Sequence, residues 1–226
     1  MSDNFSLLLA SAVHDMKNSL GMLLASVDEL TSDMADMTDG QRRQFAILQG
    51  EASRIRNDLI YLLGLYRMQN HDLVVDIDEV FVDDFLDQQV AQNALLFDMR
   101  KIDVNVTCVD DLAGFFDEEL IGGVINNVLV NAARYTSSRI EINARSEGGY
   151  LCIEVIDDGA GFPAAMLAHA GEMERDISFK TGSTNLGLHF AARIAALHKT
   201  NDGRVGLIAI SNLSAQGCGC FSLRLP

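Results

Sequence analysis

The sequence predicts an α+β protein in which a helical hairpin, forming a dimeric four-helix bundle, precedes a two-layer α/β sandwich. Two observations support this fold class. Apolar residues recur every three or four positions through the first seventy residues, and short runs of β-branched residues alternate with helical stretches after residue 71. The chain of 226 residues is 48% apolar, which is enough for a sizeable core. We therefore expect two domains, 1–70 and 71–226.

The first segment has the spacing of a coiled-coil seam in two arms. Its apolar positions are Val13, Met16, Leu20, Leu23, Val27, Leu30, Met34 and Met37, followed by Phe45, Leu48, Ala52, Ile55, Leu59, Leu62 and Tyr66. Between the arms, Asp39 and Gly40 form a turn signal. Because two helices bury only part of so long a stripe, we expect two hairpins to pair as a four-helix bundle, which makes the protein a homodimer.

The stretch SAVHDMKNSL, residues 11–20, places three polar side chains together on the first arm. His14 and Asn18 are four residues apart and share a helix face, with Asp15 beside them. The register puts His14 next to the seam residue Val13, facing solvent or the flank of the bundle. A lone histidine there is usually an ordinary surface residue, and the hairpin alone does not distinguish that interpretation from a reaction centre.

The second segment has the pattern of helices packed on a mixed, largely antiparallel sheet. A helix is expected over about 82–99, followed by a strand in KIDVNVTC. The stretch DEELIGGVINNVLVNAARYT predicts a helix with Asp117 at its start. The runs RIEINARS and YLCIEVID predict a hairpin joined through EGG, LGLHFAARIAALH predicts a helix, and RVGLIAISNL and GCGCFSLRLP predict strands. These elements form a two-layer sandwich.

Three stretches of the second segment carry groups that suit a ligand. Asn127, Asn131 and Arg134 share one helix face, where an amide oxygen suits Mg²⁺ and an arginine suits a phosphate oxygen. In IDDGAGFP, Asp157 ends a strand and can accept from an exocyclic amine such as that of adenine. Gly159 and Gly161 permit unusual backbone angles and a flat ligand's close approach. The loop GSTNLGLHF opens a helix whose free amides suit an anion. Each stretch alone also has a structural explanation, as a solvated helix face or a turn.

The composition excludes several classes of function. A net charge of −15 argues against a general nucleic-acid binder, which needs clustered Lys and Arg. We expect no direct membrane span, because no apolar run approaches the roughly 18 residues that one needs. The four cysteines indicate a reducing cytoplasm. Among them, Cys218 and Cys220 alternate as in a strand and complete no zinc site.

Taken in order, these segments resemble the sensor histidine kinases of bacterial two-component systems. HDMKNSL is similar to their phosphoacceptor motif, NNVLVNAARYT to the asparagine box, DDGAGF and STNLGL to the two glycine boxes, and GCGCFSLRLP to the closing turn and strand. The likeness covers essentially the whole chain. It implies a dimerisation and phosphotransfer hairpin followed by an ATP-binding domain of the gyrase, Hsp90, histidine kinase and MutL type.

The resemblance implies a role for each candidate residue. His14 would take the γ-phosphate of ATP, Asp15 would accept its proton or orient the imidazole, and Asn18 would position water for dephosphorylating a partner's phosphoaspartate. The implied cofactor-binding residues are Asn131, as the Mg²⁺ ligand, Asn127 and Arg134 near the phosphates, Asp157 at the adenine amine, and Gly159, Gly161, Lys180 and Gly187. The segment from about 162 to 185 would be a mobile lid over ATP.

The implied partners are the receiver domain of a response regulator and a second copy of the chain. Because nothing precedes the hairpin, a separate sensory protein is expected to supply the input. The sequence departs from the family at Ser19, where proline is usual, and at Ser183 and Asn185, where the second glycine box has glycines. Two alternatives stay open: a histidine phosphotransfer protein with a vestigial nucleotide-binding domain, and a scaffold that binds nucleotide without chemistry.

Overall fold

The computed structural model describes residues 75–168, 186–214 and 217–226, together with individual residues between 15 and 55. The chain separates into two units, Met1–Val74 and Val75–Pro226. In the first unit, the described residues from 15 to 26 and from 40 to 55 are helical. None of the helices in the described part of the chain has both the length and the apolarity that a membrane crossing requires.

The second helical stretch of the first unit begins with a capping box. The Thr38 N–H donates to Oε1 of Gln41 at 3.0 Å, and the Gln41 N–H donates to the Thr38 hydroxyl at 3.4 Å. Gly40 is already helical and is therefore not part of the expected turn, and Asp39 lies outside the described residues. A threonine followed three residues later by glutamine determines this helix start.

The second unit, Val75–Pro226, has alternating helices and strands. They are β1 (Asp78–Phe81), α1 (Val82–Gln92), α2 (Ala94–Arg100), β2 (Asp103–Cys108), β3 (Ala113–Phe116), α3 (Glu118–Tyr135), β4 (Arg139–Glu147), β5 (Tyr150–Asp157), α4 (Ala164–Ala168), α5 (Leu186–Leu197), β6 (Leu207–Ser214) and β7 (Gly217–Leu225). Strands β1 and β3 pair as a small antiparallel sheet, and the five-stranded sheet has the order β2-β4-β5-β7-β6.

In the larger sheet, β2 pairs parallel with β4, and every other neighbouring pair is antiparallel. Helices α3 and α5 supply fully buried side chains, among them Ile125, Leu129 and Ile194, and the sheet supplies others such as Ile142 and Ile153. The mixed, largely antiparallel sheet and the two-layer α/β sandwich predicted for this part of the chain are therefore confirmed.

Helix α3 is the longest of the described helices, and its ends explain its bounds. The Asp117 side chain accepts from the Leu120 N–H at 2.9 Å and caps the first turn, where Glu118 and Glu119 add favourable negative charge. At the other end, the Arg100 guanidinium donates to the Ala133 carbonyl at 3.0 Å. Both ends of α3 are thus fixed by side chains, which suits a helix that carries candidate ligand residues.

The single helix expected over about 82–99 is wrong, because the chain turns at Asn93 and forms α1 and α2. The Asn93 amide donates to the Gln89 carbonyl at 2.9 Å and to Oδ1 of Asn126 on α3 at 2.8 Å. An asparagine side chain that competes in this way for backbone partners favours a helix end. After α2, Lys101 has a left-handed φ of 57°, which delays the start of β2 to Asp103.

The predicted hairpin through EGG is confirmed. Gly148 and Gly149 have φ values of 60° and 78° and join β4 to β5. A two-residue turn with positive φ at both positions matches the twist of the paired strands, and glycine adopts it without steric cost. This hairpin sets the register that brings Asp157, at the end of β5, opposite Ile140 near the start of β4.

Candidate functional site

Asp157 ends β5 in a half-buried position surrounded by backbone. Its Oδ1 accepts the Gly159 N–H at 2.9 Å, and the Gly219 N–H of β7 also donates to the carboxylate. A Cβ added at Gly219 would lie 2.5 Å from Oδ2, so only glycine leaves the carboxylate in place. Burial raises the pKa of Asp157 above its usual value, as is common for functional carboxylates. The group is thus a partly desolvated acceptor whose two backbone donors leave lone pairs free for a further hydrogen bond.

The adjacent Asp158 has a different environment. Its carboxylate accepts the N–H groups of Ser137 and Ser138 at 2.8 and 3.0 Å and the hydroxyls of Thr136 and Ser138. Burial opposes its ionisation, but these hydrogen bonds outweigh burial and hold the pKa of Asp158 well below its usual range. Asp158 therefore holds the turn between α3 and β4, and Asp157 is the carboxylate of the pair with fewer internal donors.

Gly159 connects the Asp157 turn to the end of α3. A Cβ added at Gly159 would lie 2.2 Å from the Tyr135 carbonyl oxygen, so the two backbones are in direct contact. Of the two glycines that permit unusual backbone angles, Gly161 has a left-handed φ of 76°, whereas the φ of Gly159 is not positive. The contact places the turn after Asp157 at the C-terminal end of α3, where Tyr135 lies about 6 Å of helix rise beyond Asn131.

Asn127 and Asn131 lie on one face of α3, as their spacing predicts. The Asn131 amide nitrogen donates to Oδ1 of Asn127 at 3.1 Å, with Asn127 buried and Asn131 exposed. Because that nitrogen is engaged as a donor, the Asn131 oxygen is the atom available to a hard cation such as Mg²⁺. Arg134, in the last turn of α3, is partly buried.

Gly187, in the first turn of α5, lies directly against the Asn127 side chain. A Cβ added there would be 2.5 Å from the Asn127 amide nitrogen. Gly187, from the STNLGL stretch, therefore packs against Asn127, from the NNVLVN stretch. Asp157, Gly159, Asn127, Asn131 and Gly187 thus belong to one continuous region formed by β5, α3 and α5.

Two residues of this region were not predicted from the sequence. The Asn212 side chain of β6 accepts the Phe162 N–H at 2.7 Å and donates to the Phe162 carbonyl at 3.0 Å, as a paired strand would. A Cβ added at Gly161 would lie 2.6 Å from the Asn212 oxygen. Gly219 encloses the Asp157 carboxylate. The sequence signal for Asn212 was its polar side chain, which interrupts the apolar run of β6.

The remaining predicted site residues belong elsewhere. Asp15 and Asn18 are exposed helical residues of the first unit, where the Ser19 hydroxyl donates to the Asp15 carbonyl at 2.9 Å. His14 and Lys180 lie outside the described residues. Cys218 and Cys220 lie in β7 as predicted. In the described ranges, no group of three or more His, Cys, Asp or Glu side chains has the arrangement of a metal site.

Comparison with known proteins agrees with this geometry. Residues 116–226 match the family of histidine kinase-, DNA gyrase B-, and HSP90-like ATPases. The sensor histidine kinase RppB of Synechocystis is 23% identical over 224 residues, which cover 96% of this chain and 48% of RppB. The adaptive-response sensory kinase SasA of Crocosphaera subtropica is 28% identical over 229 residues, with 96% and 58% coverage. The chain thus spans about half the length of these relatives.

Solved structures share the fold. The Acinetobacter baumannii histidine kinase AdeS has a TM-score of 0.61 at 17% identity and covers 92% of this chain and 95% of its own. Full-length ShkA in complex with AMPPNP has a TM-score of 0.65 at 17% identity, covering 97% of this chain and 45% of its own. The family match of residues 116–226, together with these relatives, supports a histidine kinase ATPase domain in this part of the chain.

Proposed function

We propose that this chain is a protein-histidine kinase that binds ATP and Mg²⁺ in its second unit and phosphorylates His14. The observation that carries the proposal is the Tyr135–Gly159 contact, which brings the desolvated Asp157 carboxylate next to the helix that holds Asn127 and Asn131. An acceptor suited to the adenine amine then lies beside the end of the helix whose amides suit Mg²⁺ and phosphates. The ShkA structure, which contains the ATP analogue AMPPNP, supports the same assignment by analogy.

Each end of the nucleotide has chemically suitable residues. Asp157 accepts from the adenine amine, and this bond would offset part of the cost of keeping its charge half-buried. The Asn131 amide oxygen would hold Mg²⁺, which neutralises phosphate charge when it is bound. Asn127 keeps the Asn131 nitrogen occupied, and Arg134 and Lys180 contribute positive charge toward the phosphates. Gly159 allows the Tyr135 backbone to approach closely, and Gly161 and Gly187 do the same for the side chains of Asn212 and Asn127.

The proposed reaction transfers the γ-phosphoryl group to an imidazole nitrogen of His14. A nitrogen–phosphorus bond forms as the bond between the γ-phosphorus and the β–γ bridging oxygen breaks, and ADP leaves. Asp15, next to His14 in sequence, accepts the imidazole proton or orients the ring. The phosphoryl group then passes to an aspartate of a response regulator receiver domain. Asn18 positions a water that hydrolyses the phosphoaspartate.

The proposal includes a homodimer formed by the first unit. Several seam positions have large apolar side chains that a single chain leaves exposed: Met16 is 52% exposed, Leu48 is 56% and Ile55 is 45%. Apolar side chains repeated along a helix are normally buried by a partner helix. A second copy of the hairpin supplies such a partner. The separate sensory protein and the cytoplasmic location stay predictions.

The full chain incubated with γ-labelled ATP and Mg²⁺ tests the proposal. We expect acid-labile, base-stable labelling, the behaviour of a nitrogen–phosphorus bond, which His14→Gln abolishes and Asn18→Ala retains. Calorimetry of His14→Gln should still detect ATP binding, because the proposed nucleotide residues lie in the other unit. Undiminished labelling of His14→Gln would contradict the assignment of the nucleophile.

The same experiment distinguishes the alternative suggested by Ser183 and Asn185. A chain that takes no label from ATP but accepts it on His14 from a phosphorylated receiver domain would be a histidine phosphotransfer protein. A chain that binds ATP and is labelled by neither donor would be a scaffold.

A further inference from the structure

His198 is a buried histidine that the proposed chemistry does not use. It directly follows α5, and only 1% of its surface is exposed. Its Nδ1 lies 2.9 Å from the Ile194 carbonyl, and its Nε2 accepts the Asp117 N–H at 3.1 Å. The backbone of His198 is fixed as well, since its N–H donates to Ala195 and its carbonyl accepts from Gly206.

These partners determine the protonation of the ring. The Asp117 N–H can only donate, so Nε2 must be unprotonated, and the Ile194 carbonyl can only accept, so Nδ1 must hold the proton. Burial lowers the pKa of His198, and the hydrogen bond to Ile194 and the charge of Asp117 act against this effect. Helix α5 thus provides the Ile194 carbonyl that faces the ring, and the start of α3 provides Asp117. The neutral ring with its proton on Nδ1 is the form that fits.

Asp117 connects this ring to the start of α3. One carboxylate oxygen caps α3 at the Leu120 N–H, and the other accepts the Asp76 N–H at 3.0 Å. Asp76 lies two residues after the boundary between the two units. His198 therefore contacts Asp117, the residue that joins the start of α3 to Asp76 near the beginning of the second unit.

Helices α3 and α5 are in contact at two separated points. Gly187 at the start of α5 lies against Asn127, and His198 after its end binds Asp117. At about 1.5 Å per residue, the two points lie about 16 Å apart along α5 and about 15 Å apart along α3. The helices are therefore antiparallel, and two fixed points determine how far one can slide along the other.

We propose that His198 is a positioning residue for the phosphate end of the nucleotide site: its neutral ring holds α5 in the axial position that keeps Gly187 against Asn127. Because a helix moves as a rigid body over this length, release of its C-terminal end displaces its first turn. The adenine end, at Asp157, belongs to β5 and is held by Gly159 and Gly219 instead. This inference rests on the proposed nucleotide site.

Two neutral variants separate the two hydrogen bonds of the ring. Glutamine has an acceptor oxygen at the position of Nε2 and retains the bond from the Asp117 N–H. Asparagine has a donor nitrogen at the position of Nδ1 and retains only the bond to Ile194. We expect His198→Asn to weaken Mg²⁺–ATP binding about tenfold, because a buried N–H loses its acceptor, and His198→Gln to stay within about twofold of wild type.

The probes are Mg²⁺–ATP and adenosine, titrated into the full chain from about pH 7.5 downward. Adenosine lacks phosphates, so both variants should bind it as wild type does, which a general loss of structure would not allow. As the pH falls through the lowered pKa of His198, wild type should lose more Mg²⁺–ATP affinity than His198→Gln, because protonation of Nε2 removes the acceptor and glutamine does not titrate. Comparison with that variant cancels the titration of ATP itself.

Equal Mg²⁺–ATP affinity in His198→Asn and wild type would overturn the inference, as would an equal loss for ATP and adenosine. Nitrogen NMR of the labelled wild-type chain tests the tautomer without any variant, and protonation of Nε2 instead of Nδ1 would also overturn it. A wild-type chain that binds no Mg²⁺–ATP would overturn the proposed function and this inference with it.

Discussion

The carbonyl oxygen of Tyr135 occupies the space that a side chain at position 159 would need. A Cβ at Gly159 would lie 2.2 Å from that oxygen and 2.8 Å from the Tyr135 carbonyl carbon. The backbone at the end of the asparagine-bearing helix α3 is therefore in contact with the backbone that follows Asp157. This contact is what joins two separate sequence motifs into one candidate site.

Gly159→Ala should lower the free energy of unfolding by about 1–3 kcal/mol, because the added methyl forces the Tyr135 and Gly159 backbones apart. It should also weaken ATP binding, since Asp157 moves away from α3. Urea denaturation and calorimetry measure the two effects. Gly123→Ala is the matched control: Gly123 lies inside α3 with nothing within 4 Å of an added Cβ, so we expect it to stabilise by about 0.5–1 kcal/mol. Equal effects of the two variants would refute the assigned contact.

Asp157→Asn should separate stability from binding. Because the pKa of Asp157 is raised, its ionisation costs stability as the pH rises from its usual value through the raised one. Asparagine removes that cost and still accepts the Gly159 N–H. We therefore expect unchanged or increased stability at pH 7, and ATP affinity reduced roughly ten- to a hundredfold by loss of a charged acceptor. Wild-type ATP affinity in this variant would count against the adenine assignment.

Asp158→Asn should have the opposite effect. The lowered pKa of Asp158 means that its carboxylate stabilises the fold above its usual pKa and that this contribution is lost as the pH falls toward the lowered value. At pH 7 we expect a loss of about 1–3 kcal/mol, because asparagine cannot accept all four donors. Below about pH 4, the variant and wild type should converge progressively, because the unfolded carboxyl is protonated first and the native carboxyl only near its lowered pKa. Urea denaturation over this pH range checks the convergence, and a constant difference would contradict it.

Ile55→Glu should convert a dimer into a monomer. Ile55 is a seam residue that is 45% exposed in the single chain, and a second hairpin would bury its substituted carboxylate without a partner. Gln44→Glu adds the same charge at an exposed helical position outside the seam and should leave the dimer intact. Light scattering of the full chain measures both. Wild-type monomers at micromolar concentration would rule out the proposed bundle.

Asn18→Ala and Asp15→Asn should affect different reactions. Without a side chain to hold water, Asn18→Ala should slow decay of the regulator's phosphoaspartate and leave formation of phospho-His14 unchanged. Asp15→Asn should slow formation of phospho-His14 by about 10²–10⁴-fold, because general-base assistance is lost. Time courses of the two phosphorylated species with a receiver domain separate these effects. If Asn18→Ala instead blocks phospho-His14 formation, the assigned roles are wrong.

Local chemistry accounts for the elements that the sequence predicted well. Asp117 as the cap of α3, the spacing of Asn127 and Asn131, and the glycine pair at 148 and 149 act within a few residues of themselves. Each of these features depends only on residues that are close together in the sequence, so the local pattern is enough to predict it. The helix break at Asn93 was not predicted, because one of its partners is Asn126, which lies on another helix.

The sequence by itself determined the α/β sandwich of the second unit, the order of its motifs and the face that Asn127 and Asn131 share. Only the tertiary structure distinguished Asp157 from Asp158, because two adjacent carboxylates have the same local chemistry and the donors to Asp158 come from residues 136–138. Only the tertiary structure paired Asn212 with Phe162, fifty residues away, and His198 with Asp117, 81 residues away. Such contacts depend on strand order and helix packing, which no short stretch of sequence encodes.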